Sequence, residues 1–103
     1  MTAREKTLQR WKKATEEKYK TVESTLFYFG FRQVSSGIGS SHRIFEHEQL
    51  RKAYENNPSE LDHFGPMGQL TIPVTGGQKV KGRYLRYILE ALEIIHENNH
   101  EEE

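Results

Sequence analysis

The stretch FRQVSSGIGSSHRIFE, residues 31–46, decides the fold that the sequence predicts. Its two ends, Phe31 to Val34 and His42 to Glu46, combine aromatic and β-branched residues in the manner of short strands. The middle, residues 35–41, consists of serine, glycine and one isoleucine, a composition typical of a turn. The stretch therefore predicts a β-hairpin, with His42 as the first residue of its second strand.

A third strand and two flanking helices complete the predicted domain. Gln69 to Val74 is predicted as a strand, and Pro73 places it at a sheet edge or makes it short, because proline cannot donate to the ladder. Apolar residues recur at steps of three and four between Thr2 and Phe29, up to Gly30, and again from Lys81 to about Glu97. The predicted class is α+β: a three-stranded antiparallel sheet with two helices on one face.

The first helical pattern is unusually long. Its apolar stripe, Leu8-Trp11-Thr15-Tyr19-Val22-Leu26, predicts one long helix, or two helices with a slight bend near residues 15–18. At 1.5 Å per residue it would be about 40 Å long, more than a small domain can cover. Leu8 and Trp11 would then need another surface. We expect it from Tyr54, Leu61 or Phe64, or from a second copy of the chain in a homodimer through the N-terminal helix.

The chain divides at the composition shifts. Residues 1–17 are predicted as an N-terminal helical extension, 18–97 as the domain proper, and 98–103 as an acidic tail. Residues 48–68 form an insertion between the second and third strands that is long for a hairpin connection. Within it we expect a short helix over Gln49 to Glu55.

Composition excludes several classes of protein. The 103 residues contain no cysteine, which excludes disulfides, thiolate metal sites and cysteine nucleophiles. Lys and Arg together number 15 and equal Asp and Glu together, so net charge favours no partner. No apolar run approaches the roughly 20 residues that span a bilayer, and the first residues do not resemble a signal peptide. We expect a soluble, cytoplasmic protein without a membrane partner.

His42 is the strongest candidate for chemistry. Alternation places Ile44 on its side of the strand and Phe45 on the other, so one of these faces looks away from the helices. An imidazole titrates near neutral pH, which suits proton transfer. Basic residues Lys79, Lys81, Arg83 and Arg86 follow the third strand. If they lie near His42, cations and imidazole together suit attack on a phosphodiester.

Other motifs in the sequence are weaker evidence for a functional site. His96-Glu97-Asn98-Asn99-His100 matches the HExxH pattern of zinc proteases, but a chance match in a charged tail is favoured. His47 and His63 are predicted as surface residues. The aromatic run at residues 26–31, LFYFGF, suits a base-stacking platform, but a core corner between helix and strand is favoured.

Four segments together resemble the HicA toxin family, the YcfA-like mRNA interferases of type II toxin–antitoxin systems. They are Gly39-Ser40-Ser41-His42-Arg43-Ile44-Phe45, Leu70-Thr71-Ile72-Pro73-Val74, Lys79-Val80-Lys81 and Leu85-Arg86-Tyr87-Ile88-Leu89, in the family's order. The resemblance runs from about residue 18 to residue 95. It implies a double-stranded-RNA-binding-like α-β-β-β-α fold and metal-independent endonuclease cleavage of mRNA without a cofactor.

The resemblance also implies roles for residues. His42 would be the catalytic general base or acid at a ribose 2′-hydroxyl. Ser41 would help to position the backbone, and Lys79, Lys81 and Arg86 would contact RNA phosphates. A HicB-like antitoxin protein would cover the active face. The alternative is a non-catalytic RNA-binding or protein-interaction module on the same scaffold.

Overall fold

The computed structural model describes residues 2–34, 41–61 and 68–101, with the backbone alone at residues 60 and 98–101. Within these residues the chain is an α+β protein, as predicted. The elements follow in the order α1 (Ala3–Trp11), β1 (Glu16–Lys18), α2 (Tyr19–Tyr28), β2 (Arg32–Gln33), β3 (His42–Glu46), α3 (Glu48–Asn56), α4 (Pro58–Leu61), β4 (Leu70–Pro73), β5 (Lys79–Lys81) and α5 (Gly82–Glu101).

The predicted three-stranded antiparallel sheet is confirmed, in the order β2-β3-β4. In its register Phe45 lies opposite Leu70 and His42 lies opposite Pro73. Phe45 and Leu70 are both buried, and they form the face that packs against the helices. Since β4 is an outer strand, the edge position expected from Pro73 is also confirmed, and proline there interrupts no ladder inside the sheet.

Gly30 ends α2 as expected. Its φ of 90° lies in the left-handed region, where glycine meets no Cβ penalty. The Gly30 N–H donates to the Phe27 carbonyl (3.1 Å), and the Phe31 N–H donates to the Leu26 carbonyl (3.0 Å). This pair of bonds is the Schellman arrangement, and it directs the chain from α2 into β2.

The prediction of one long helix is wrong. The helical pattern between Thr2 and Phe29 is divided into α1 and α2 by the turn at Lys12 and Lys13 and by β1. Strand β1 pairs antiparallel with β5 in a second sheet of two strands, which we call the ribbon. A backbone hydrogen bond closes the ribbon at each end. One runs from the Tyr19 N–H to the Gln78 carbonyl and the other from the Gly82 N–H to the Thr15 carbonyl, both 2.8 Å long.

The expectation that Leu8 and Trp11 lie beyond the core is also wrong. Trp11 is fully buried in the core cluster, and Leu8 packs against it. The break after α1 folds the N-terminal segment back, and α1 packs on α5. The reason for expecting a homodimer through the N-terminal helix therefore no longer holds. Leu61 and Tyr54 belong to this core or pack on it, whereas Phe64 lies outside the described residues.

The remaining helices agree with their predictions. The short helix expected over Gln49 to Glu55 is α3, which packs against α5. The last helix begins one residue later than expected and continues to Glu101. Among the described helices, none is long and apolar enough to cross a membrane. The fully buried large apolar side chains are drawn from the whole length of the described chain: Trp11, Val22, Leu26, Phe45, Leu50, Leu70, Ile72, Val80, Leu85 and Ile88.

Candidate functional site

His42 lies on the face of the three-stranded sheet that is turned away from the helices. Side chains alternate along a strand, so His42 and Ile44 share one face of β3 while Phe45 points to the other. Phe45 is fully buried, whereas His42 is exposed and Ile44 is only half-buried. We call the His42 side the open face; its strand residues are Arg32, His42, Ile44, Glu46, Thr71 and Pro73.

The backbone immediately before His42 is held by the sheet. The Ser41 carbonyl accepts a hydrogen bond of 2.8 Å from the Val74 N–H, which extends the β3-β4 ladder by one residue at this end. The Ser41 side chain is exposed. The rest of the predicted turn at residues 35–41, including Gly39 and Ser40, lies outside the described residues. His42 is thus exposed to solvent on a backbone that is anchored by its neighbour.

A tight turn connects this end of the sheet to β5. The Gln78 N–H donates to the Thr75 carbonyl (2.9 Å), and the Thr75 N–H donates to the Lys79 carbonyl (2.9 Å). Gln78 has a φ of 57°, the left-handed residue that closes a three-residue connection. Thr75 follows two residues after the strand partner of His42. Strand β5 therefore begins at the same end of the sheet as His42.

Lysines occupy the outer side of the ribbon. Val80 of β5 is fully buried, so Lys79 and Lys81 point the other way, and both are exposed. Across the ribbon Lys18 lies opposite Lys79, and Glu16 lies opposite Lys81. We call these four side chains the lysine face. Its single carboxylate, Glu16, accepts a hydrogen bond of 2.9 Å from the Lys79 ammonium and raises the pKa of Lys79 above its ordinary value.

Sequence reasoning missed Lys18. Its position beside Lys79 depends on the pairing of segments about sixty residues apart, and no local sequence pattern predicts that pairing. One half of the ribbon did leave a signal, since Lys79-Val80-Lys81 alternates polar and apolar residues in the manner of a half-buried strand. The other half, Glu16-Glu17-Lys18, has no apolar residue and no such period.

Arg86 joins α5 to the end of α1. Its Nη1 donates to the carbonyls of Ala14 (3.0 Å) and Trp11 (3.4 Å). These are backbone acceptors near the C-terminus of α1, where carbonyls have no partner within the helix. The RNA contact expected of Arg86 stays a prediction, but its guanidinium already helps to hold the N-terminal segment in place.

Glu17 anchors the inner side of the ribbon. Its carboxylate accepts hydrogen bonds from the Trp11 indole (3.0 Å) and the Lys18 N–H (2.9 Å), and it forms an ion pair with Arg10. Burial by itself would raise the pKa of Glu17, but the donors from Trp11, Arg10 and the Lys18 backbone outweigh it and hold the pKa below its ordinary value. The folded protein therefore favours the ionised carboxylate.

His47 is half-buried, so the prediction of a surface residue is wrong. Its Nδ1 accepts a hydrogen bond of 3.1 Å from the Gln49 N–H and caps α3. Its ring packs edge-on against Phe31, with centroids 5.1 Å apart. Burial lowers the pKa of His47, although a hydrogen bond to the Phe29 backbone and the charge of Glu48 act in the opposite direction. His47 is thus a structural histidine.

A cleft of about 370 Å³ lies beside His47, at the end of the sheet opposite His42. Its lining residues are Gly30, Arg32, Glu46, His47, Glu48 and Arg51. Both signs of charge are present, and Arg32 forms an ion pair with Glu46 inside it. Neither His42 nor the lysine face lines this cleft. It therefore takes no part in the site built around His42.

The weaker motifs have separate outcomes. In the aromatic run, Leu26 and Phe31 are buried as favoured, while Phe27 and Tyr28 are 47% and 64% exposed. His96 of the HExxH match lies exposed on α5, and the side chain of residue 100 lies outside the described residues. Across the part of the chain that the structure describes, no group of three His, Asp or Glu side chains is placed to hold a metal ion.

The structure thus brings Ser41 and His42 to the end of the sheet where the turn into Lys79 begins, with Lys81 further along β5 and Arg86 directed at α1. Comparisons with protein-family models, with curated proteins and with solved structures found no significant match for this chain. Function is therefore inferred from the residues and their arrangement.

Proposed function

We propose that this chain is an RNA-cleaving toxin, an mRNA interferase of the HicA type that acts without a metal ion. The observation that carries the proposal is the position of His42. It is exposed on the open face, at the first residue of the central strand, and the strand that carries Lys79 and Lys81 begins one tight turn away. A proton-transferring ring with cations at the same end of a sheet suits phosphodiester cleavage.

The order of elements supports the double-stranded-RNA-binding-like fold that the resemblance implies. Helix α2 is followed by three antiparallel strands in the order β2-β3-β4, and the chain ends in α5. The inserted helices α3 and α4 and the N-terminal segment are additions to that arrangement. With these additions in place, His42 is still exposed on the open face, at the end of β3.

The proposed reaction is a transesterification within the RNA strand. His42 as general base removes the proton from a ribose 2′-hydroxyl, and the 2′-oxygen attacks the adjacent phosphorus. The bond from phosphorus to the 5′-oxygen breaks, and that oxygen takes a proton from water as it leaves. The products are a 2′,3′-cyclic phosphate and a 5′-hydroxyl end. General acid–base catalysis of this kind contributes about 10²- to 10⁴-fold in rate.

The other proposed site residues position the backbone at His42 or contact the phosphates of the substrate. The backbone of Ser41, held by its bond from Val74, fixes the start of β3. Lys79 and Lys81 are exposed ammonium groups that can contact phosphates. Arg86 keeps the phosphate contact assigned to it only if its guanidinium can bridge RNA and the α1 carbonyls.

A HicB-like antitoxin is the proposed protein partner, bound over the open face. Val34 bonds to Ile44 at the end of β2 and is 46% exposed. Val34 and the half-buried Ile44 are therefore neighbours on the open face, and adjacent accessible apolar side chains on the face of a catalytic residue favour a protein that covers it.

The proposal is tested by His42→Ala in two assays. Wild-type protein expressed in a bacterium is expected to arrest growth and, when purified, to cleave RNA in the presence of EDTA. His42→Ala is expected to abolish both while its melting temperature stays near that of wild type, because an exposed ring contributes little to packing. His96→Ala, which alters an exposed histidine on α5, is the matched control.

Three results would overturn parts of the proposal. Equal cleavage by wild type and His42→Ala would remove His42 from catalysis. Loss of cleavage on addition of EDTA would contradict the metal-independent mechanism. Tight RNA binding with no cleavage by the wild-type chain would favour the alternative, a non-catalytic RNA-binding module.

A further inference from the structure

Two lysines from distant parts of the sequence face each other across the ribbon. The bonds from the Tyr19 N–H and the Gly82 N–H fix the register, and they make Lys18 and Lys79 a non-hydrogen-bonded pair, in which side chains approach most closely. Like charges directly opposite each other destabilise a strand pair. Both side chains are exposed, and Lys81 follows on the same side of β5. This repulsion indicates a surface arranged for an anionic ligand.

We propose that Lys18, together with Lys79 and Lys81, binds the phosphate backbone of RNA, so that the N-terminal segment forms part of the RNA-binding surface. This inference rests on the proposed function and adds Lys18 to it. The lysine face has no apolar side chain, which argues against an apolar partner. Ammonium groups bind phosphates as point charges without reading bases.

The position of the lysine face determines which end of the sheet a bound RNA strand would pass. Lys79 and Lys81 are about 7 Å apart along β5, two residues at roughly 3.3 Å each. The Lys79 end leads directly through the Thr75 turn to the strand partner of His42. An RNA strand bound along the lysine face therefore passes the His42 end of the sheet rather than the cleft beside His47.

Glu16 competes with the ligand for part of this surface. Its carboxylate bonds to the Lys79 ammonium at 2.9 Å. Lys18 and Lys81 are therefore expected to contribute more to RNA binding than Lys79 does. Glu16→Gln removes the competing charge and leaves a side chain of the same size, so it is expected to strengthen binding.

The test measures how RNA binding by the full chain depends on salt. The probe is a labelled 2′-O-methyl RNA oligonucleotide, which lacks the attacking hydroxyl and stays intact. Each phosphate contact to a single strand contributes about 0.7 to the slope of log K against log salt. Lys18→Ala is expected to lower the slope by about that amount and to weaken binding about fourfold at 0.15 M salt. Lys6→Ala, an exposed lysine on α1, is the control and is expected to change neither.

Lys18→Glu separates binding from folding. A glutamate opposite Lys79 replaces repulsion by an opposite-charge pair, so the melting temperature is expected to stay the same or rise. RNA binding is expected to fall further than in Lys18→Ala. A purely structural role for Lys18 would move stability and binding in the same direction.

The outcomes distinguish this inference from the function on which it rests. A wild-type chain that binds the oligonucleotide, with an unchanged slope in Lys18→Ala, would overturn the inference and leave the proposed function standing. A wild-type chain that binds no RNA at any salt concentration would overturn both. Loss of slope in Lys18→Ala and not in Lys6→Ala, with Lys18→Glu still folded, supports the inference.

Discussion

The two β-sheets of this protein are built in opposite ways. In the β2-β3-β4 sheet the two longer strands, β3 and β4, contain β-branched and aromatic residues that favour strands, and Phe45, Leu70 and Ile72 bury one face. The ribbon of β1 and β5 is made mainly from lysine and glutamate, and Val80 is its one fully buried strand residue. The first sheet is stabilised by its own strand residues. The ribbon is stabilised by what surrounds it.

The surroundings of the ribbon come from α1 and α5. Trp11 and Glu17 bond on its inner side, and Arg86 reaches the backbone where α1 ends. Because the core contains none of the side chains on the outer side of the ribbon, the lysine face is accessible to ligands. The comparison predicts that changes beneath the ribbon affect the fold as much as changes beneath the sheet.

Trp11→Ala should have the largest effect. Removing a fully buried indole from the core costs about 3–5 kcal/mol in free energy of unfolding, and it also removes one of the donors to the Glu17 carboxylate. Chemical denaturation measures the change, with Phe45→Ala in the sheet as the matched variant. Comparable losses are expected. A Trp11→Ala chain within about 1 kcal/mol of wild type would mean that the N-terminal segment is a peripheral arm after all.

Gly82→Ala tests the close approach where the ribbon meets α5. A Cβ at position 82 would overlap the Ala14 carbonyl oxygen, which belongs to the backbone and cannot rotate away. We expect a loss of about 1–3 kcal/mol, the usual cost of overpacking. Gly77→Ala is the control, because a Cβ there meets nothing within 4 Å. Equal melting temperatures for Gly82→Ala and Gly77→Ala would contradict the close contact between Gly82 and the Ala14 carbonyl oxygen.

Glu17→Gln tests the anchor and its charge. The amide can still accept from the Trp11 indole but loses the ion pair with Arg10, so a loss of about 1–2 kcal/mol at neutral pH is expected. Because folding lowers the pKa of Glu17, this stability is present above the ordinary pKa of 4.5 and is lost as the pH falls through the folded value. Wild type should therefore lose more stability on acidification than Glu17→Gln.

The pH series needs its own control. Glu93→Gln removes an exposed carboxylate on α5 and should keep the pH dependence of wild type. If the Glu17→Gln curve runs parallel to the wild-type curve below pH 5, the carboxylate is not favoured by folding.

His47→Asn, on the side of the three-stranded sheet, should have the smallest effect. Asparagine can still cap α3, so the loss at pH 8 is limited to the packing on Phe31, about 1 kcal/mol. Folding lowers the pKa of His47 from 6.5, so wild type keeps this stability above pH 6.5 and loses it as the pH falls. Thermal melts between pH 5 and 8 should show a flatter curve for His47→Asn. If the His47→Asn and His96→Asn curves have equal slopes, folding does not favour the neutral form of the His47 ring.

The sequence by itself determined the parts of the fold whose residues repeat with a period. Alternation over residues 42–46 predicted a strand with His42 and Phe45 on opposite faces, one of them turned away from the helices, and a single proline favoured an edge position for the third strand. Steps of three and four predicted α3 and α5 to within a few residues. When a helix or strand buries one face, its apolar residues recur with the period of that element. This recurrence can be recognised from the local sequence alone.

Only the tertiary structure decided where α1 ends and what the N-terminal segment does. No glycine or proline stops α1 at Trp11. The Trp11 carbonyl and the Ala14 carbonyl just after the helix accept hydrogen bonds from Arg86, some seventy residues further along the chain. Lys18 comes to lie beside Lys79 for the same reason, because the backbone partners of β1 belong to β5. A helix and a three-residue strand of similar local propensity differ by only a small free energy, and distant hydrogen-bond partners decide between them.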